Sequence, residues 1–191
     1  MYEYIQGEIA QLAAGYVIVE AGGIGYFVHI SLHTYGLLQN QKTAKIFLHQ
    51  VIREDAHTLF GFGELGEREL FRLLISVNGI GSNTAVTMLS ALKHTEIRNA
   101  IATENLLVLK SMKGIGPKTA QRVIIELKDK VGVASGSESA GLSGVVAEEA
   151  CMALEMLGFQ KKNIEKTVME LLKTTPSLKV EDLIKQALKQ L

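Results

Sequence analysis

Two hydrophobic spacings divide the chain. Over residues 1–63, apolar and polar positions alternate in short runs: Tyr2–Gln6, Glu8–Ala13, Tyr16–Ala21, Ile24–Ile30, Ala44–Ile52 and Thr58–Phe62. Such alternation predicts half-buried strands. Gly7 reads as a bulge, and Ala14-Gly15 and Gly22-Gly23 read as turns. Ser31–Leu38 is either a short helix or a turn. Nine of the eleven aromatic residues fall here, as strand propensity favours. The pattern fits a small Greek-key barrel of the OB type. A generic small β-barrel with no binding role is the plainer alternative.

From residue 64 the spacing becomes helical. Leu70, Phe71, Leu74 and Ile75 share one face, as do Ala85, Met88, Leu89 and Leu92, and then Ala120, Val123, Ile124 and Leu127. The segment is written twice. LISVNGIGSNTAVTMLSAL (74–92) and LKSMKGIGPKTAQRVIIEL (109–127) match at a constant offset of 35. Each copy predicts a helix, a tight glycine turn and a second helix. Ser82 is placed to cap the helix after the first turn. Pro117 suits a first helical position. Between the copies, Thr95 is placed to cap a helix carrying Ile97, Ala100 and Ile101, and Leu106–Lys110 opens the second copy.

A small, polar run, Val133–Gly141, reads as a flexible linker. The tail beyond it predicts three helices. Their faces are Val146, Ala150, Ala153, Leu154 and Leu157; Ile164, Val168, Leu171 and Leu172; and Leu183, Ile184, Ala187, Leu188 and Leu191. Gly158 suits the first C-terminal cap, and Pro176 punctuates. The chain is therefore expected to be an α+β multidomain protein. A barrel spans 1–63, an all-α tandem helix-hairpin-helix domain 64–131, a linker 132–143 and a three-helix bundle 144–191.

The doubled Gly-Ile-Gly carries the chemistry. Gly79 and Gly114 can take positive φ, and with Gly81 and Gly116 they leave the main chain unshielded. A phosphate strand can then reach the backbone N–H groups at the following helix N-terminus. Ile80 and Ile115 would anchor each turn inward. Lys113, Lys118 and Arg122 gather at the second turn and suit phosphate contact. A plain helix–helix connection with a glycine cap would explain one copy; two copies in register point to the DNA backbone.

The 191 residues have a net charge of zero, which by itself argues against a nucleic-acid binder. The charge is uneven: −2 over residues 1–63, +3 over 64–131 and −1 over 132–191, so the excess lies on the doubled segment. The single cysteine, Cys151, belongs to an apolar helical pattern and fits packing in a reducing compartment. No signal pattern and no 18-residue apolar run is present.

Other motifs are weaker. Arg53-Glu54-Asp55-Ala56 puts two carboxylates at a hairpin tip, where a solvated turn is the ordinary reading. Gly61, Gly63 and Gly66 form G-x-G-x-x-G, the dinucleotide fingerprint. Val86 stands where its acidic partner would fall, so these glycines read as a barrel-to-helix hinge. No Walker A, HExxH, G-x-S-x-G or CxxC motif occurs. His29, His33, His49, His57 and His94 are scattered and read as structural or surface residues. No catalytic residue, metal or cofactor is expected.

The order of these blocks resembles the RuvA family of bacterial Holliday junction-binding subunits. The carriers are RED at a hairpin tip, VNGIG, MKGIGPKTAQR and the tethered tail. The resemblance implies a non-catalytic, cytoplasmic homotetramer, possibly an octamer, that holds four-way junction DNA flat. It implies backbone contacts by Asn78, Gly79, Ile80, Gly81, Asn83, Thr84, Lys113, Gly114, Ile115, Gly116, Lys118, Thr119 and Arg122. Asn83 departs from the lysine of some relatives, so the first turn would lean on its N–H groups. Glu54 and Asp55 map onto the family's acidic pin, with Arg53 as a cation at the junction centre. The UBA-like tail would recruit the RuvB ATPase through Leu154, Leu157, Gly158, Phe159, Leu183 and Ile184, with RuvC resolvase in the larger complex. A helix-hairpin-helix glycosylase or nuclease subunit is the alternative.

Overall fold

The computed structural model describes residues 2–131, 142–175 and 178–190. Five strands open it: β1 (Tyr4–Ala13), β2 (Tyr16–Ala21), β3 (Ile24–Ile30), β4 (Thr43–Ile52) and β5 (His57–Phe62). They close into a barrel in the order β1-β2-β3-β5-β4, with β3 and β5 parallel and the other pairs antiparallel. Alternate residues fill its interior, including Val17, Val19, Val28, Ile30, Ile46 and Leu48.

Two local expectations change. The first two predicted runs are one strand, and Gly7 lies within it opposite Ala44. A Cβ at Gly7 would come within 2.0 Å of the Glu20 carbonyl oxygen, so close strand approach requires the glycine. The register shift falls between Ile9 and Gln11 instead. Residues after Ser31 form a helix, α1 (Leu32–Leu38), and the Ser31 hydroxyl accepts from the Thr34 N–H at 3.0 Å.

The helical segment comprises α2 (Leu65–Ile75), α3 (Ser82–Ala91), α4 (His94–Ala102), α5 (Leu106–Ser111) and α6 (Pro117–Val131). Its expected apolar faces meet in one core containing Leu70, Phe71, Leu74, Ala85, Met88 and Leu127. Phe60 and Phe62 of β5 belong to the same core, with ring centroids 5.3 and 4.9 Å from Phe71. Barrel and helices thus share one compact unit, Met1–Ser135.

Pro117 opens α6 as expected. Ser82 is the first residue of α3 and not its cap, since Gly81 occupies that position. Thr95 likewise lies inside α4; there the Glu96 carboxylate accepts from the Lys93 N–H at 2.9 Å.

A buried polar joint connects barrel to helices. Glu67 is fully buried and accepts hydrogen bonds from the Ser31 and Thr34 hydroxyls at 2.5 and 2.7 Å. Burial raises its carboxyl above the ordinary value, and the two hydroxyl bonds act against that rise. The Gly63 N–H donates to the Thr34 hydroxyl at 2.9 Å. The G-x-G-x-x-G glycines are close-packed rather than a hinge. A Cβ at Gly61 would meet Val28 at 2.4 Å, at Gly63 Leu37 at 2.9 Å, and at Gly66 His94 at 3.0 Å.

The second unit, Gly136–Leu191, contains α7 (Leu142–Met156), α8 (Lys161–Thr174) and α9 (Val180–Ala187). Ala150, Leu154, Ile164, Val168, Leu171, Leu183 and Ala187 form its core, with Cys151 packed against it. Gly158 ends α7 at φ +94°; the Gly158 N–H donates to Glu155 and the Phe159 N–H to Leu154. That pair of bonds is a Schellman cap, as the glycine suggested. Leu157 and Leu188, expected on core faces, are exposed because each lies just past its helix. The expected linker Val133–Gly141, Pro176 and Leu191 lie outside the described residues. No described helix is long and apolar enough to cross a membrane.

Candidate nucleic-acid interface

Each glycine turn repeats the other's hydrogen bonding. The Ile80 N–H donates to the Val77 carbonyl at 3.1 Å, and the Ile115 N–H to the Met112 carbonyl at 3.2 Å. The third residue of each turn has positive φ: +97° at Gly79 and +88° at Gly114. A β-turn of this kind requires glycine there. Ile80 and Ile115 point into the shared core, 5% and 6% exposed, as the pattern predicted.

The turns also face each other reciprocally. A Cβ at Gly79 would find Thr119 at 3.9 Å, and one at Gly114 would find Thr84 at 3.7 Å. These positions exchange under the offset of 35, so the two copies are related by a local pseudo-twofold. Gly81 and Gly116 differ in kind. Neither has positive φ, and a Cβ on either meets nothing within 4 Å. The fold therefore does not require glycine at these two positions. Both lie directly before a helix N-terminus, where the first N–H groups lack intrahelical partners. A bare backbone with outward N–H groups suits close approach by an anion.

Asn78, Asn83, Lys113 and Lys118 are exposed around these turns, and Thr84 and Thr119 are half-buried. Arg122 is partly committed. Its Nη1 donates to the Asn78 carbonyl at 2.9 Å, bracing the first turn from the second, and its Nε lies 3.9 Å from Glu126. The matching residue of the first copy, Thr87, bonds to Asn83 within its own helix.

The acidic tip lies at the end of the β4–β5 hairpin, closed by a bond from the Arg53 N–H to the Ala56 carbonyl at 2.8 Å. Arg53, Glu54 and Asp55 are all exposed. Tertiary structure brings this tip to the first turn: Arg53 and Asp55 line one cleft together with Gly81, Ser82, Asn83 and Thr84. Sequence separation hid that proximity, because nearly 30 residues lie between the hairpin tip and α3.

Models of three protein families match in the order of these structural blocks. They are the RuvA N terminal domain over residues 1–61, a SAM-like helix-hairpin-helix tandem over 71–129 and the RuvA C-terminal domain over 145–191. Full-length relatives agree. The chain is 49% identical to the Holliday junction branch migration complex subunit RuvA of Bacteroides thetaiotaomicron, covering 100% of each. The corresponding subunit of Parabacteroides distasonis is 50% identical and that of Christiangramia forsetii 45%, again over 100% of both chains. The chain belongs to the RuvA family. For a RuvA chain, the glycosylase or nuclease alternative has no support.

Two docking expectations need correction. Leu154 and Leu183 are fully buried in the tail's core, so their side chains pack the three helices together and offer no surface. Leu157 and Gly158 are exposed, and Phe159 and Ile184 half-buried. Sequence reasoning missed Met152, Met156 and Met169, which are 65%, 86% and 66% exposed. None of the three belongs to the predicted apolar faces, and each lies on the outer side of its helix.

Proposed function

We propose that this protein binds four-way DNA junctions as a homotetramer, holding them open and planar for branch migration in the cytoplasm. The observation that carries the reading is the reciprocal pair of glycine turns. Each presents an unshielded helix N-terminus, and the first lines a cleft with the acidic tip. Lys113 and Lys118 add charge at the second turn, and Arg122 keeps the first turn in shape while leaving donors for phosphate. The paired turns read backbone rather than sequence, and the fourfold arrangement of tips selects the junction.

In this reading three modules divide the work. The barrel, residues 1–63, supplies the pin Glu54 and Asp55, with Arg53 beside it at the crossover. Residues 64–131 grip the arms. The tail, residues 144–191, recruits a RuvB-type ATPase through Leu157, Gly158, Phe159 and Ile184, and a RuvC-type resolvase joins the larger complex. The chain itself is a non-catalytic subunit.

The deciding experiment is a gel shift with a four-way junction and a duplex of equal length and composition. The junction should bind far more tightly, in complexes of four or eight chains. Equal affinity for the two DNAs would overturn junction selectivity, and no binding to either would remove the DNA role.

A further inference from the structure

Two of the five histidines converge at the joint between barrel and helices. His33 lies on α1 and His94 opens α4, 61 residues later, while Glu64 caps the start of α2 between them. His33 Nε2 is 3.1 Å from Glu64 Oε2, and His94 Nδ1 is 3.4 Å from the same oxygen. One donor atom from each residue lies within 4.8 Å of the other two. The edge of a tetrahedron drawn at zinc–nitrogen distance is roughly 3.4 Å. Two of the three edges, at 3.1 and 3.4 Å, are already close to that length.

A hydrogen-bonded triad accounts for the His33–Glu64 contact but not for His94. His94 Nδ1 is buried and has no hydrogen-bond partner. A protonated Nδ1 would be expected to donate to Glu64, yet the geometry is not that of a hydrogen bond. An unprotonated Nδ1 would set its lone pair against a carboxylate. A cation between the three groups would take one lone pair from each, including the one on His94 Nδ1. The ring packs closely against the start of α2: a Cβ at Gly66 would stand 3.0 Å from His94 Nε2.

We propose that His33, Glu64 and His94 form a binding site for one divalent transition metal of the zinc class. Two imidazoles and a carboxylate are the donor set that zinc prefers over calcium or magnesium, and a fourth position remains for water. The ion bridges the barrel's cap helix, the start of α2 and the segment between the two hairpins. Lying beside the Ser31–Thr34–Glu67 network, it would staple the barrel to the DNA-gripping helices. This inference stands apart from junction binding, because no residue assigned to the DNA surface takes part.

The test uses chelator-stripped, full-length protein titrated with Zn2+ by calorimetry and with Co2+ by visible absorption. One ion per chain should bind, and Co2+ should show the intense bands of a four-coordinate site. His33→Gln, Glu64→Gln and His94→Gln should each weaken binding by about 100-fold or more. His57→Gln, on the exposed hairpin end, should leave binding unchanged. Zn2+ at a hundred times its Kd should raise the parent's Tm by roughly 5–10 °C and leave the His33→Gln Tm unmoved. Glu64 is largely exposed, so Glu64→Gln serves as the variant least able to disturb folding. Absence of stoichiometric binding, or binding that survives all three substitutions, overturns the proposal and leaves a His33–Glu64 hydrogen bond with His94 packed beside it.

Discussion

At the scale of single residues, the four turn glycines separate into two pairs by physical role. Gly79 and Gly114 need positive φ, so a β-branched side chain there strains the main chain by about 1–2 kcal/mol per residue. Gly79→Val with Gly114→Val should lower stability and weaken junction binding together. Gly81→Ala with Gly116→Ala discriminates better, since both positions have open space around them. That pair should keep the parent's Tm within a degree or two and still weaken junction binding at least tenfold. Retained affinity in the alanine pair, measured by gel shift, would show that the N–H groups are not the contact. Ile80→Ala tests the anchor: removing a buried branched chain should cost about 2–5 kcal/mol of stability by urea unfolding.

His49 on β4 makes a pH prediction at the same scale. Its ring packs on Phe71 at 5.3 Å, and its Nδ1 is buried without a partner. Burial first, then the nearby Arg72 and Arg68 charges, push its pKa below the ordinary 6.5. The unfolded chain therefore takes up a proton before the folded one does. The stabilisation is fully present above pH 6.5 and is lost as pH falls through the lower folded value. Glu67 acts in the opposite sense, because burial raises its carboxyl and acid relieves that cost. The Tm of His49→Leu should fall less steeply between pH 7 and 5 than the parent's; parallel profiles would remove His49 as the cause.

At the scale of elements, the β4–β5 hairpin poses a question that charge alone answers. Its tip carries two exposed carboxylates, beside a turn suited to phosphate. Like charges oppose contact, so the tip would weaken binding to any DNA that must pass over it. In a tetramer, eight such charges would approach the crossover, their repulsion screened over a Debye length of about 8 Å. Repulsion there disfavours duplex and keeps separated strands apart, which is selectivity by exclusion. Glu54→Gln with Asp55→Asn should raise affinity for junction and duplex alike while lowering the ratio between them. An unchanged ratio would restore the plain solvated turn.

At the scale of the whole molecule, the two compact units predict separable tasks. A chain ending at Val133 keeps the barrel core and the helical core intact, so it should bind junctions as the parent does. It should fail to stimulate ATP-driven branch migration by the motor; normal stimulation would give the tail another task. If four chains each neutralise about two phosphates, log affinity should fall with log salt at a slope of roughly −7. A slope near −2 would mean that one chain, not four, carries the contact.

Much of this molecule is legible in its sequence alone, and the reason is periodicity. Alternation at Val17 and Val19 or at Ile46 and Leu48 marks strands with one buried face, and the 35-residue duplication announced paired hairpins. Gly79, Gly114 and Gly158 were readable because a positive φ is a local demand that glycine meets locally. Positions where the chain meets itself from afar were not. Gly7, Gly61 and Gly66 are glycines because of Glu20, Val28 and His94, and nothing near them in sequence says so. Leu154 and Leu157 look alike on a helical pattern, yet one is core and the other surface, because the helix ends between them. For Arg122 the sequence suggests a phosphate contact, and only the fold adds its bond from Nη1 to the Asn78 carbonyl of the first hairpin. The joining of His33, Glu64 and His94 likewise belongs to tertiary structure. Periodicity encodes which face is buried, and only the closed chain decides which distant groups share a distance of about 3 Å.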